Sequence, residues 1–385
     1  MHKLFTSDER RKIALLYHSM GTGKTLTSVQ IAKNIAGVEG LCDFVIVIAV
    51  PSTHKDWNNL LSKYVNVPFM IKSHQWITKN SSEIKKLSKN TLAIVDELHL
   101  TANRNKPGTI AVEKLIAHCF ASLLMSGTPF RNKEERLFVV HNWLFGNVSN
   151  YENWLHEYCN TQPDRFAYYP SFVSFKVGDI EDYLNYIDRF ELKRIYVEKR
   201  DMKYKVTPEY LPIVGSRYKI LEDYSVYGAN ELVVANSVMR KLRYMSYLKY
   251  CDNIEAENDS CKLIGARKDV TSIIKKYEAR NPIVYAQSSK VAKLYKELFP
   301  NSLYIDGKTT KKNKDEIFDE YKRGGKMLFA TDSVSTGTDG AQNATDCIVI
   351  LYDTNDATSR DQLIARIAGG FRNKGNAEIV TVIIE

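Results

Sequence analysis

The sequence predicts an α/β protein made of two parallel-sheet lobes with a helical insertion between them. Three observations carry this expectation. Short uninterrupted apolar runs alternate with charged helical stretches over 44–126, and do so again over 283–384. Between them, about 150–260, lies a stretch poor in such runs that holds 15 of the 23 tyrosines. The length of 385 residues suits two to three domains rather than one. The expected bounds are 1–150 for lobe one, 151–260 for the intervening tyrosine-rich subdomain, and 261–385 for lobe two.

In lobe one the expected strands are Phe44–Val50, Thr91–Val95 and Ser122–Ser126. Lobe two repeats the pattern with Ile283–Ala286, Ser302–Ile305, Met327–Ala330, Cys347–Leu351 and Glu378–Ile384. Each run is apolar throughout rather than alternating, as strands are when helices cover both faces of a sheet. Within the intervening stretch, 232–250 has the periodicity of a long amphipathic helix. Its interleaved aromatic and basic residues suit stacking on bases or tracking of a phosphate backbone. The tyrosines themselves are first of all large apolar rings suited to filling a core.

Composition bounds the function classes. Hydrophobic content of 44% and charged content of 26% are those of a soluble globular protein. No stretch approaches the roughly 20 apolar residues that span a bilayer, so no membrane partner is expected. The opening Met1–Arg10 lacks the apolar core of a signal peptide. The six cysteines are scattered without zinc-type spacing, which favours a reducing, intracellular setting. A net charge of +9 and a pI near 9.0 favour a polyanionic partner.

The chemistry is concentrated at two motifs. Residues 18–25 read His-Ser-Met-Gly-Thr-Gly-Lys-Thr, and Leu26–Ala32 after them is predicted helical. Met20, Gly21, Thr22, Gly23, Lys24 and Thr25 form a loop whose glycines allow successive N–H groups to point at phosphate oxygens. Lys24 supplies a point charge to a triphosphate, and the Thr25 hydroxyl is a natural Mg²⁺ ligand. The following helix N-terminus adds its dipole. Seventy-odd residues on, Val95-Asp96-Glu97-Leu98-His99 places an acidic pair directly after an apolar strand. The two motifs predict binding and hydrolysis of a nucleoside triphosphate.

Four further segments distinguish among such enzymes. Ser126-Gly127-Thr128-Pro129-Phe130-Arg131-Asn132 follows a strand, and its small hydroxyl-bearing turn can bond the acidic pair and sense the γ-phosphate. Standing alone it would read as a plain Gly-Pro turn. In the second lobe, Ala330–Gly340 brings Ser335, Thr336, Gly337 and Asp339 after a strand, suited to ribose, phosphate or a strand backbone. Gln362 and Arg366 open a predicted helix, and Gly369–Gly375 with Arg372 follows. Arginines there suit the neutralisation of transition-state charge on a γ-phosphate.

In this order the motifs resemble a superfamily-two nucleic-acid motor with two RecA-like lobes, specifically its Swi/Snf-type branch. Val50-Pro51-Ser52-Thr53 with Trp57 resembles that branch's segment after the second strand. Gly127–Asn132 is similar to its Gly-Thr-Pro-Leu-Gln-Asn. Phe190–Arg194, Pro208 and Leu211-Pro212 resemble its basic segment and the proline-containing stretch after it. Met239–Arg243, Cys261–Leu263 and Tyr304–Thr310 resemble its approach to lobe two and its Asp-Gly-Ser/Thr segment. The phosphate-loop spelling, small size and short loops look more like a viral or phage member, in the host cytoplasm, than like a chromatin remodeller. Two departures stand out. Only some seventeen residues precede the phosphate loop, where the family carries an adenine-contacting glutamine segment. Gly369 occupies the position of the second arginine in the last motif, with Arg372 three residues on.

The resemblance implies a DNA-dependent ATPase that uses ATP and Mg²⁺ and translocates along, unwinds or remodels duplex or branched DNA in replication, recombination or repair. Lys24, Asp96, Glu97, Gln362, Arg366 and Arg372 would be catalytic, with Glu97 as general base and Thr25 and Asp96 holding the metal. Pro51, Ser52, Thr53, Thr128, Ser335, Thr336 and Gly337 would contact the nucleic-acid backbone. His99, Ser126, Gly127 and Asp339 would couple the two events. A monomeric motor is expected, with single-stranded, duplex or branched DNA as partner. The alternatives are an RNA-directed helicase or transcription-release ATPase, and a hydrolysis-impaired nucleotide-binding regulatory module. A small-molecule phosphate-loop kinase leaves the second lobe unexplained.

Overall fold

The computed structural model of the chain describes all residues except 8–11, 20–21, 39, 128–133, 147, 149, 164–168, 190–191, 199–202, 213–242, 244–245, 258–259, 332–340, 352–362, 366, 369–376 and 385. The chain divides into two compact units, Met1–Asp201 and Met202–Glu385.

Unit one is built on a six-stranded parallel sheet. Its strands are β1 (Ile13–His18), β2 (Phe44–Ile48), β3 (Phe69–Lys72), β4 (Thr91–Val95), β5 (Ala121–Ser126) and, after a two-stranded antiparallel hairpin of β6 (Cys159–Gln162) and β7 (Ser171–Phe175), β8 (Ile195–Glu198). The order across the sheet is β3-β2-β4-β5-β1-β8. Leu16 lies opposite Met125, and Val47 opposite Ile94. The apolar runs are uninterrupted because alternate residues feed two cores. Leu15, Ile46, Ile48 and Val95 face one side with Trp143 and Trp154. Leu16, Val45, Val47 and Met125 face the other with Trp57 and Leu61. Side chains of a strand point alternately to opposite faces, so both faces must be apolar when both are covered.

Unit two repeats the plan. It holds β9 (Tyr204–Leu211), an antiparallel pair of β10 (Cys251–Glu257) and β11 (Ser260–Ala266), then β12 (Ile283–Tyr285), β13 (Leu303–Ile305), β14 (Leu328–Ala330), β15 (Cys347–Ile350) and β16 (Ala377–Ile384). Six of these form a parallel sheet in the order β13-β14-β12-β15-β16-β9. Cys347, Val349 and Leu351 enter one core, while Ile348 and Ile350 enter the other. The α/β architecture of two RecA-like parallel-sheet lobes is therefore the one expected.

Within the tyrosine-rich stretch, Tyr151, Trp154, Tyr158 and Tyr183 are buried in a core of unit one. Tyr183 Oη accepts from Trp154 Nε1 at 2.8 Å and bonds buried His141 Nδ1 at 2.5 Å. These rings fill a core, as large apolar groups do when each polar tip finds a partner. The helix expected over 232–250 lies largely outside the described residues. Among the described residues, no helix is long and apolar enough to cross a membrane.

Candidate active site

The site is assembled at the carboxyl ends of the strands in the first lobe. Strand β1 ends at His18, and after the phosphate-loop residues the helix Lys24–Lys33 begins. Its N-cap is Gly23, at φ 85°, ψ 27°. That left-handed conformation is open to glycine and strained for a side chain, although the space around the missing Cβ is empty. Glycine is thus required by the turn and not by crowding. No acidic residue occupies the first turn of the helix. Its positive end is therefore not neutralised by its own sequence and favours an anion.

Lys24 is folded back over this loop. Its Nζ donates to His18 O at 3.0 Å and Ser19 O at 3.2 Å, while Thr22 Oγ1 donates to Ser19 O at 2.8 Å. One turn further, Ser28 donates to Lys24 O and to Met125 Sδ, tying the helix to β5. Thr25 is half-buried in the first helical turn. Burial lowers the pKa of His18, Glu198 pulls it upward and Lys24 adds to the lowering. His18 Nδ1 lies 3.6 Å from Glu198 Oε2, too far for a hydrogen bond.

Strand β4 delivers the acidic pair. Asp96 is buried, and its carboxylate accepts from Glu97 N at 2.9 Å and from Trp57 Nε1 at 3.3 Å. His74 Nε2 donates to Asp96 O at 2.8 Å, which fixes the proton of that neutral imidazole on Nε2. Burial, then repulsion from Glu97, pushes the Asp96 carboxyl up to about 7. Trp57, Lys24 and the Glu97 N–H pull it down to a smaller extent. Lys24 and Asp96 therefore feel each other's charge, and the two motifs share one site.

Glu97 stands in the left-handed region at φ 46°, ψ 51°. This conformation is uncommon for a residue with a Cβ and is stored where surrounding structure enforces it. It turns the carboxylate toward β5. Glu97 Oε2 lies 3.3 Å from His99 Nδ1 and accepts from Ser126 Oγ at 3.4 Å, and those two partners are 3.3 Å apart. His99 and Ser126 are both buried. The triangle is loose by hydrogen-bond standards, so it orients Glu97 without clamping it.

The site residues fit a Mg²⁺–triphosphate. Asp96 is a buried carboxylate short of positive charge, Thr25 offers a hydroxyl in the first turn of the loop's helix, and Lys24 already bonds oxygens in the loop. Hard oxygen donors with an uncompensated carboxylate are what Mg²⁺ prefers.

In the second lobe a carboxylate at the end of the edge strand β13 is organised differently. Asp306 follows β13, and its Oδ1 accepts from Lys308 N, Thr309 N and Thr309 Oγ1 at 2.9–3.0 Å. Tyr304 Oη donates to its Oδ2 at 3.0 Å, and Lys293 Nζ lies 3.9 Å away. Burial alone would raise the carboxyl, but these bonds outweigh it and hold it below the ordinary carboxylate range. Thr310 then caps the helix Lys311–Lys322.

Residues 265–369 match the model of the helicase conserved C-terminal domain. The helicase match runs from the end of β11 through β12, β13, β14 and β15, and so takes in most of the second sheet and the Asp306 turn. Among curated proteins nothing matches in sequence. Among solved structures, the chain is similar to the Sulfolobus solfataricus SWI2/SNF2 ATPase core in complex with dsDNA, with 15% identity, 96% of this chain and 83% of that chain covered, and a TM-score of 0.41.

Of the residues singled out by sequence, Thr22, Gly23, Lys24, Thr25, Asp96, Glu97, His99, Ser126 and Gly127 gather at the strand ends of the first lobe. Pro51, Ser52 and Thr53 form a single 3₁₀ turn after β2, in which Thr53 Oγ1 donates to Val50 O at 3.0 Å. Met20, Gly21 and Thr128 lie outside the described residues. So do Ser335, Thr336, Gly337 and Asp339, and Gln362, Arg366, Gly369 and Arg372, in the second lobe. Two contacts of Asp96 escape sequence reasoning: Trp57 enters it only as part of the segment after the second strand, and His74 not at all. The contact of Trp57 with Asp96 spans 39 residues and that of His74 spans 22, and no local pattern marks either.

Proposed function

We propose that the chain is a nucleic-acid-stimulated ATPase, a helicase or translocase that moves along DNA and separates or remodels duplex or branched substrates. The observation that carries this reading is the convergence of Lys24 and the Asp96–Glu97 pair at one set of strand ends. The helicase-type match over 265–369 favours a motor over a phosphate-loop kinase. The charge of +9 favours a polyanionic track.

In this reading Lys24 leaves its loop carbonyls for the β/γ-phosphates, and Thr25 and Asp96 hold Mg²⁺. The bound metal neutralises phosphate charge and orients the γ-phosphoryl group. Glu97 accepts a proton from the attacking water at its carboxylate, and Ser126 and His99 aim that carboxylate. Those same two residues sit where Gly127 leads into Thr128, so that a nucleic-acid contact there changes the orientation of the base. Gln362, Arg366 and Arg372 are assigned to transition-state charge. Pro51–Thr53, Thr128 and Ser335–Gly337 are assigned to the phosphate backbone, with Asp339 in coupling.

The test is ATP turnover with single-stranded DNA, duplex, fork, four-way junction and RNA, each also scored for strand separation. DNA is expected to stimulate turnover, and Glu97→Gln to abolish the stimulation. Stimulation by RNA alone would replace DNA with RNA as the track. Wild type no faster than Glu97→Gln with every nucleic acid would end the enzyme reading.

A further inference from the structure

The residues after β2 run straight into a helix, and that helix reaches the Asp96 carboxylate. The 3₁₀ turn Pro51–Thr53 passes directly into the helix His54–Tyr64, for which Thr53 is the N-cap. Their junction is stitched by its own bonds. Thr53 N and Oγ1 both donate to Val50 O at 3.0 Å, and His54 N donates to Pro51 O. His54 Nε2 donates to Ala49 O at 3.1 Å. Turn and helix therefore shift as one piece. One helical turn along, Trp57 is fully buried, as is Leu61 one turn beyond it.

Trp57 directs its one polar atom at Asp96. An indole N–H can only donate, and the acceptor it meets is Asp96 Oδ2, at 3.3 Å. Glu97 N takes Oδ1 at 2.9 Å, and His74 Nε2 donates to the Asp96 carbonyl at 2.8 Å. The carboxylate is thus oriented by one donor on each oxygen, which leaves a lone pair on each for a cation. Of these bonds the one from Trp57 is the longest, just outside the usual range of about 2.7–3.2 Å for N–H···O. A shift of the helix by roughly a few tenths of an ångström toward Asp96 brings it into that range.

We propose that Trp57 is a positioning residue through which a nucleic-acid strand at Pro51–Thr53 tightens the hold of Asp96 on Mg²⁺. A backbone phosphate on the turn moves the helix, the helix moves the indole, and the indole sets the carboxylate for the metal. This rests on the ATPase reading above and on its assignment of Pro51–Thr53 to the track. It is separate from the route through Ser126 and His99, which acts on Glu97 and not on the metal ligand.

The test follows the Mg²⁺ dependence of ATP turnover with and without duplex DNA in wild type, Trp57→Phe and Leu61→Val. Duplex RNA replaces DNA if RNA proves to be the track. Phenylalanine keeps a buried ring and removes the N–H, whereas valine loosens the same helix one turn beyond the indole. In wild type the duplex is expected to lower the Mg²⁺ needed for half-maximal turnover several-fold. In Trp57→Phe that requirement should rise about tenfold, as for loss of a hydrogen bond to a charged group, and the duplex should no longer lower it. Leu61→Val should behave as wild type. A second readout needs no turnover. In the ¹⁵N-labelled whole chain, the indole signal that Trp57→Phe removes should move downfield when the duplex alone is added, while that of Trp154 stays. An indole signal left in place would overturn the proposal. So would a requirement that the duplex lowers as far in Trp57→Phe as in wild type, or an equal rise in Leu61→Val. Stimulated turnover in those cases would leave the ATPase reading standing without it. Wild-type turnover that neither duplex stimulates would instead be a failure of that reading, and the proposal would fall with it.

Discussion

The two lobes share a scaffold and differ in how they treat a carboxylate at a strand end. In both, the central strands of a six-stranded parallel sheet are buried on both faces, and one edge is formed by a strand near the boundary between the units: β8, the last strand of unit one, beside β1, and β9, the first of unit two, beside β16. After β13, Asp306 has its carboxylate satisfied by its own turn and sits below the ordinary carboxylate range. After β4, Asp96 is buried next to a second carboxylate and is pushed up to about 7. The first arrangement serves the turn and the second destabilises its surroundings. Burial of a charge without adequate compensation is a mark of a site that awaits a ligand.

The largest effect that sharpens this contrast is on turnover. Glu97→Gln should lower kcat ~10²–10⁴-fold, the range for removal of a general base. The melting temperature should not fall. Asp306→Ala should leave much more of the turnover intact. If it cuts kcat as deeply as Glu97→Gln does, the division of labour between the strand ends is wrong.

Next in size is the cluster beneath the first lobe. Trp154→Ala should cost roughly 3–5 kcal/mol in stability, as truncation of a large buried aromatic does. Trp154 is fully buried and donates to Tyr183. Denaturant midpoints measure this, and turnover per folded molecule should be unchanged.

Titration comes third, and here two neighbouring groups oppose each other. Asp96 binds its proton more tightly in the folded chain, so its ionisation destabilises. That penalty is absent below about pH 4 and complete above about pH 7. His74 behaves inversely. Burial lowers its pKa to about 4, against upward pulls from the Asp96 carbonyl and Glu97, with His99 and His54 adding to the lowering. The stability that neutral His74 contributes is whole above about pH 6.5 and lost as pH falls through about 4. Each amounts to a few kcal/mol at most, at about 1.4 kcal/mol per unit. Thermal melts of the nucleotide-free protein should therefore show Asp96→Asn gaining on wild type as pH rises from 4 to 7. His74→Gln should gain on wild type as pH falls from 6.5 to 4. Mg²⁺ with nucleotide should erase the Asp96→Asn advantage. Its persistence under saturating ligand would argue against Asp96 as the metal carboxylate.

The smallest effect lies in lobe two. Asp306→Ala should cost about 1 kcal/mol in stability, the net range for lost hydrogen bonds, since water can reach the Tyr304, Lys308 and Thr309 donors it leaves.

The centres of both sheets were legible because strands covered on two faces are apolar throughout. Thus β2, β4 and β5, and β12 to β16, stand close to where the runs of valine, isoleucine and leucine place them. The edges were not. In β3, Phe69–Lys72 are all half-buried, and β9 alternates outward residues such as Val206 and Tyr210 with inward ones. Pro208 inside β9 also argues locally against a strand, and is tolerated because β9 is an edge. The candidate site was legible where its chemistry is local, as in Gly23-Lys24-Thr25 and Asp96-Glu97. It was not legible where tertiary packing supplies the partner, as with Trp57 and His74 on Asp96.

The backbone of Glu97 has a consequence for how this chain tolerates change. At φ 46° a glycine is at ease, whereas a residue with a Cβ is disfavoured by roughly 1–2 kcal/mol. Glu97→Gly should therefore melt higher than wild type even as it loses turnover. A screen for thermal robustness alone would drift toward that variant, and its most durable survivors would be folds that no longer turn over.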